Sequence, residues 1–405
     1  MSARLFAVMF IFCCTCFAWW ILGVSIFQRT ASSDARLKGS VVSTWGEEHC
    51  ACPPSAWCES VGPKGERTQT ALPVLSTNAS AKLDLAHRQK GLNWYSTYQV
   101  AFEGAYGFRN TDDAPRRVTF RLGLPAKRAT YDDLHLTLDG VPLETVSEPG
   151  ALSATAEIPA QATVQLGVRY RSQGLDRWTY RPAGEGSQAR DFALRVRTNF
   201  ARYDVPDFAL SPTTHREAPG GGWDLGWAYS NLVSGSNVAV AMPGHLQPGP
   251  VAGRISMFAP VSLLFFFFLL FLLTTMRGVD LHPMNYFFLA AAFFSFHLLL
   301  AYLVDLISIH LAFAICSVVS IFLVVSYLRL VVGMRFALVE AGAMQLVYLV
   351  AFSYAFFLEG MTGLAITIGA ILTLFLVMQW TGRVRWSEVF AGRGAVKRVA
   401  GGVSP

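Results

Sequence analysis

The sequence predicts an α+β membrane protein: an N-terminal transmembrane anchor, an extracytoplasmic antiparallel β-sandwich-like domain and a C-terminal five-helix transmembrane bundle. Three observations predict it. Five apolar runs, at 256–276, 283–303, 309–328, 336–358 and 361–380, follow one another with almost no room between them. A sixth run, 5–27, opens the chain. Between the two groups the hydrophobic period becomes two, the period of a strand with one buried face. The expected divisions are an anchor (1–28), a loop-rich, cysteine-containing lead-in (29–94), a β-rich domain (95–254), the bundle (255–382) and a basic tail (383–405).

The first run is preceded by Arg4 and is longer than the ~7–15-residue apolar core of a signal peptide. Trp19-Trp20-Ile21-Leu22 stands where a small-residue cleavage site would fall, so an uncleaved anchor is expected. Cys13, Cys14 and Cys16 lie inside it and read as small apolar residues.

The lead-in is rich in Gly, Pro, Ser and Thr and shows little period, apart from a helix expected near 80–90 around Leu83, Leu85 and Ala86. It holds His49, Cys50, Cys52 and Cys58. In an oxidising compartment one disulfide is expected, Cys50–Cys58 or Cys52–Cys58, because a Cys-x-Cys ring is small and strained. A metal held by His49 and the three thiols is the weaker reading, since this spacing matches no standard zinc set.

From about Tyr95 the strands are legible. Val118, Phe120 and Leu122 alternate with Arg117, Thr119 and Arg121. Leu134, Leu136 and Leu138 lead into Asp139-Gly140, a hairpin-turn pair. Val164, Leu166, Val168 and Tyr170 form another inward face, as do Phe192, Leu194 and Val196. Trp223, Leu225, Trp227 and Tyr229 share a face that suits a sandwich core better than a glycan-binding shelf. Gly220-Gly221-Gly222 precedes a strand and reads as a turn.

Each C-terminal run is about 20 residues, enough at ~1.5 Å per residue to cross a ~30 Å hydrocarbon core. Leu263 to Leu270 is apolar on every face, which argues for lipid contact. Arg277, then Arg329 and Arg335, then Arg383, Arg385, Arg393, Lys397 and Arg398 fall on alternate linkers and the tail, whereas the others hold Asp305 and Glu359. That asymmetry predicts both termini in the cytoplasm and 28–255 outside.

Composition agrees: 53% hydrophobic residues, 30 Phe, and mean hydropathy +0.38. The net charge of +6 does not imply nucleic acid, because 28–255 carries 24 Lys and Arg against 22 Asp and Glu. No catalytic triad motif, phosphate loop or metalloprotease helix is present, so no catalysis and no cofactor is expected. The expected partners are the lipid bilayer and an envelope or membrane protein.

Several segments resemble the CreD family of bacterial inner-membrane proteins. Leu281-His282-Pro283-Met284-Asn285-Tyr286 is similar to the family's entry to its third helix, and Tyr327-Leu328-Arg329 with Gly333 to a later helix exit. Arg383-Val384-Arg385-Trp386 resembles the end of its last helix. Arg88-Gln89-Lys90-Gly91 with Tyr98 and Gly104, and Trp227-Ala228-Tyr229-Ser230-Asn231-Leu232, resemble its β part. The chain departs from the family in Asp305 for Glu, Leu306 for His, Asn285 for Gln and Arg385 for Asp. The resemblance implies a role in cell-envelope integrity and in the response to envelope and β-lactam stress, without an established catalytic activity.

Within the bundle the candidate polar residues are His297, Glu340, Gln345 and Asp305. Burial of such groups in hydrocarbon is costly, so each needs a reason. His297 and Glu340 form either a relay or two separate structural contacts. In the second reading Glu340 reaches the interface beside Arg335, and His297 hydrogen-bonds across helices to Gln345, Ser317 or Ser320. Asp305 is expected near the periplasmic mouth, solvated, with capping of the next helix as a further role. Two alternatives to an envelope-integrity role follow: a transporter or channel component with a polar path at His297 and Glu340, and a membrane-embedded enzyme on lipid or wall precursors. An absence of Gly or Pro interruptions in the helices is expected to weigh against the transporter.

Overall fold

The computed structural model describes residues 2–61, 67–183, 188–233, 235–358 and 360–382. Glu359, the last-helix motif at Arg383, Arg385 and Trp386, and the basic tail lie outside them. The chain divides into two compact units, Met1–Ser33 with Gln247–Pro405, and Asp34–Leu246.

Among the described residues six helices are long and apolar enough to cross a membrane. They are α1 (Ser2–Trp45), α2 (Pro248–Met276), α3 (Pro283–Leu303), α4 (Ile309–Val331), α5 (Phe336–Phe357) and α6 (Thr362–Thr381). Proline opens α2 and α3, where its missing N–H costs nothing. The His282 ring caps α3, with Nδ1 accepting from the Met284 N–H at 3.2 Å. The membrane part of α1 turns a narrow stripe inward: Trp19 is 0% and Ile26 2% exposed, with Gly23 between them. α1 runs antiparallel to α2 at close range. A Cβ on Gly249 would fall 2.3 Å from Thr30 Oγ1, and one on Gly253 would fall 3.0 Å from the Phe27 ring. Glycines four apart thus let two backbones approach where no larger side chain fits, a device of membrane helix pairs.

α1 continues past the predicted anchor end at 28, and its second half belongs to the other unit. Leu37, Val41 and Trp45, spaced four apart, face Tyr95 and Leu175. Lys38 pairs with Asp176, and Asp34 accepts from Tyr95 Oη at 3.0 Å.

The described residues of that unit form eighteen strands. The first nine are β1 (His49–Ala51), β2 (Ser55–Val61), β3 (Arg67–Leu72), β4 (Ser76–Leu85), β5 (Arg88–Lys90), β6 (Asn93–Tyr95), β7 (Thr97–Arg109), β8 (Arg116–Gly123) and β9 (Tyr131–Leu138). The rest are β10 (Val141–Pro142), β11 (Thr145–Glu148), β12 (Ala151–Ile158), β13 (Thr163–Leu175), β14 (Arg177–Tyr180), β15 (Gln188–Thr198), β16 (Thr214–Ala218), β17 (Gly222–Val233) and β18 (Val238–Ala241). An eight-stranded sheet has the order β10-β9-β13-β7-β4-β15-β17-β16, and a five-stranded sheet the order β11-β12-β8-β2-β3. Both contribute to one core, with Phe108 and Phe120 in edge contact between them at 5.3 Å. The alternating faces read from sequence are the buried ones, including Val118, Phe120, Leu166, Tyr170 and Val196. Asp139 and Gly140 both have positive φ and turn the β9–β10 hairpin.

Three expectations are corrected. The lead-in at 29–94 is not loop-rich, since it contains the end of α1 and β1 to β6. The helix expected near 80–90 is strand β4, flanked by β7 and β15, because Ala79, Ala81 and Leu83 are buried at a period of two. The domain is not wholly antiparallel: β4 pairs parallel with β15, and β1 with β14. Parallel neighbours need a crossover, and both pairs join strands far apart in sequence.

Candidate functional site

The polar residues of the bundle are placed by interhelical hydrogen bonds. Tyr327 Oη on α4 donates to Asn285 Oδ1 on α3 at 2.8 Å, joining two of the motifs singled out in the sequence. Ser320 Oγ donates to the Ala292 carbonyl at 2.9 Å, and Gln345 Nε2 donates to Ser320 Oγ at 2.8 Å, so α3, α4 and α5 are linked in series. Ser262 on α2 donates to the Tyr348 carbonyl on α5, and Tyr348 Oη meets Thr373 Oγ1 on α6 at 2.8 Å. α5 is wound as a π-helix over Phe336–Ala341 and Leu346–Ala351, and Pro260 lies inside α2. The expectation of uninterrupted helices is therefore corrected; a proline removes one ladder bond and π-turns displace carbonyls from it.

His297 is fully buried, and its Nδ1 bonds the Phe293 carbonyl of its own helix at 3.0 Å. The expected partners Gln345, Ser317 and Ser320 do not reach it; Ser317 bonds Phe313 of its own helix. Instead the Trp19 ring of α1 stands edge-on to the imidazole, 5.5 Å between centroids at 86°. Neither Trp19 Nε1 nor His297 Nε2 has a hydrogen-bond partner among the described residues. Glu340 pairs with Arg277, beyond the end of α2, and not with Arg335. Arg277 also lies 5.9 Å from the Phe336 ring. His297 and Glu340 thus share no partner. Asp305 is not a cap, since Ser308 holds that position without a side-chain bond. It is half-exposed and pairs with Arg29 at 3.1 Å, and Arg29 also donates to the Ala301 carbonyl. Trp19, Arg29 and Arg277 went unread as partners. For Arg29 and Asp305 the signal was there, because the orientation rule puts both at the same membrane face.

The expected disulfide is not formed. Cys50 on β1 is exposed and Cys58 on β2 is buried, and both are free thiols. The Cys58 thiol lies 3.6 Å from the Thr70 carbonyl across the β2–β3 pair. Cys52 is half-buried, 3.9 Å from the position of a Cβ on Gly123. Cys50 and Cys58 lie on different sheets, and Cys52 on the connection between β1 and β2. His49 is not with them: it points into the core, with Nδ1 3.2 Å from Tyr98 Oη and Nε2 3.2 Å from Ser172 Oγ. Burial pushes its pKa down to about 4. Among the described residues no group of three His, Cys, Asp or Glu is arranged to hold a metal ion.

On β17 Leu225 and Trp227 are buried, while Trp223 and Tyr229 pack against the same core. The aromatic face is core and not a shelf.

Fold and site together define a multi-pass membrane protein with α+β organisation. Residues 235–387 match the model of the family described as inner membrane protein CreD. That match agrees with the resemblance read from Leu281–Tyr286 and Tyr327–Arg329, which lie inside the matched residues. The β-domain motifs lie before the matched residues. No curated protein sequence matches the chain. Among solved structures, a nutrient-binding protein from Legionella pneumophila, described as putative, is 11% identical, covering 53% of this chain and 75% of that one, with TM-score 0.33. An M1 zinc metallopeptidase from Deinococcus radiodurans is 13% identical, with 42% of each chain covered and TM-score 0.28. Leukotriene A4 hydrolase from Saccharomyces cerevisiae is 6% identical, covering 42% of this chain and 29% of that one, with TM-score 0.20. Likeness at this level carries no argument about fold or activity.

Proposed function

We propose that the chain is a non-catalytic envelope-integrity protein whose β domain lies outside the cytoplasmic membrane and meets a partner there. The bundle, with both termini in the cytoplasm, serves as its anchor. The observation that carries this reading is how the bundle's polar groups are used. Ser262, Ser320, Gln345, Tyr327 and Tyr348 each make a helix-to-helix bond. Glu340 is neutralised at a helix end by Arg277, and His297 bonds its own helix. These are contacts that hold helices together, and among the described residues no hydrogen bond or ion pair links His297 to Glu340. The Arg277 side of the bundle is the cytoplasmic one by the Lys/Arg asymmetry, which puts residues 34–246 outside.

The test is deletion and complementation. Cells lacking the chain should lose survival under a β-lactam or a membrane-perturbing detergent, and the full chain should restore it. Unchanged survival and unchanged envelope permeability on deletion would overturn the proposal. The π-helical turns of α5 and Pro260 in α2 favour one second reading, a transport component. Under that reading His297→Gln abolishes complementation at normal protein level.

A further inference from the structure

The outward face of the eight-stranded sheet carries a trough that the fold does not need. One row of register partners crosses six strands: Thr137, Gly167, Ala105, Asn78, Ala193 and Ala228. None is larger than Asn. At ~4.8 Å between strands the row is ~24 Å long. Two cavities lie along it, of about 710 and 490 Å³, and both are lined by Asn78, Ala79 and Ser80. The floor is kept low on purpose of sequence: a Cβ on Gly167 would fall 2.4 Å from Thr137 Oγ1, and one on Gly226 would fall 2.5 Å from Thr214 Oγ1. The side chains of Asn78, Ser80, Thr137 and Thr214 have no hydrogen-bond partner among the described residues, so their donors and acceptors face the trough unused.

One wall is cationic. The next outward rows hold Arg169 and Arg195, then Arg171, Lys82, Arg197 and Arg216. Glu103 and Asp133 fix Arg169, at 3.6 and 3.5 Å, Asp224 lies 3.7 Å from Arg195, and Asp84 pairs with Lys82 at 2.8 Å. Arg171 and Arg197 are exposed and form no ion pair among the described residues. A sugar or base would need a ring to stack on. Trp227 under the floor is only 1% exposed and bonds Leu210, and the His135 ring at one end is engaged by Asp133.

We infer that this trough is the docking site for an extended acidic segment of a protein partner. Its amides meet Asn78, Ser80, Thr137 and Thr214, and its carboxylates meet Arg171 and Arg197. The assignment rests on the reading of the β domain as the partner-binding part of the chain. The full chain in uncharged detergent is titrated against a fluorescein-labelled peptide of alternating Glu and Gly, about seven residues long to span ~24 Å. Anisotropy should report binding that weakens with added salt. Ala193→Trp, which fills the floor, and Arg197→Gln, which keeps its shape, should each weaken it about tenfold, with thermal stability unchanged. An alternating Lys and Gly peptide should not bind. No binding to the parent chain, or parent-like binding by both variants, overturns the inference. So does binding of polygalacturonate that both variants lose while the peptide stays unbound, which would make the occupant a glycan. Because binding is read on the pure chain and the envelope role in cells, failure of one is distinguishable from failure of the other.

Discussion

His49 gives the sharpest quantitative test of the β domain. Its ring is 1% exposed, held between Tyr98 and Ser172, and burial lowers its pKa from 6.5 to about 4. The folded state therefore refuses a proton that the unfolded chain accepts once pH drops below 6.5. Stability from this group is complete above about pH 6.5 and drains away as pH falls toward 4. The gap between 6.5 and about 4, at ~1.36 kcal/mol per pH unit, comes to about 3 kcal/mol. For a domain of this size that is roughly 6–12 °C in melting temperature. His49→Gln keeps a hydrogen-bonding side chain between Tyr98 and Ser172 but does not titrate. Calorimetric melting of the full chain from pH 7 to pH 4 should show the parent losing about 3 kcal/mol more than the variant. Parallel curves for the two would refute the assignment of His49 as a buried neutral core residue.

His297→Leu should leave stability within about 1 kcal/mol of the parent or raise it, because the ring bonds only its own helix and leaves Nε2 unbonded. A loss above ~2 kcal/mol in the melting profile would mean an interhelical bond was missed. With other cysteines replaced, Gly23→Cys/Met257→Cys should crosslink on oxidation, since a Cβ on Gly23 lies 2.6 Å from Met257 Sδ. Adding Gly249→Leu, which collides with Thr30, should abolish the crosslink; persistence of the bridge would contradict the α1–α2 packing. Alkylation without reductant should label Cys50 quickly and Cys58 only on unfolding, as their exposure dictates. Recovery of a bridged peptide containing either residue would restore the disulfide reading.

The membrane spans were legible because twenty apolar residues have few other uses. So were β8, β9, β13 and β15, where large inward residues alternate with arginines and threonines. β4 was hidden for a physical reason. Its inward positions are Thr77, Ala79, Ala81 and Leu83, and the first three are too small or polar to show the period. The second half of α1 looked like polar linker, yet Leu37, Val41 and Trp45 at intervals of four carried the helical signal. At the candidate site the residue types were read correctly and the partners were not. Arg277 with Glu340, Trp19 with His297, and His49 with Ser172 join positions 63, 278 and 123 residues apart. Only the packing of elements decides such pairings.

The central proposal is that residues 34–246 lie outside the cytoplasmic membrane and both chain ends inside, and reporter fusions test it most directly. One reporter at Gly140, in the β9–β10 turn, and another after Arg335, at the start of α5, should give opposite sides, with Gly140 extracytoplasmic and Arg335 cytoplasmic. The same side for both would contradict the account.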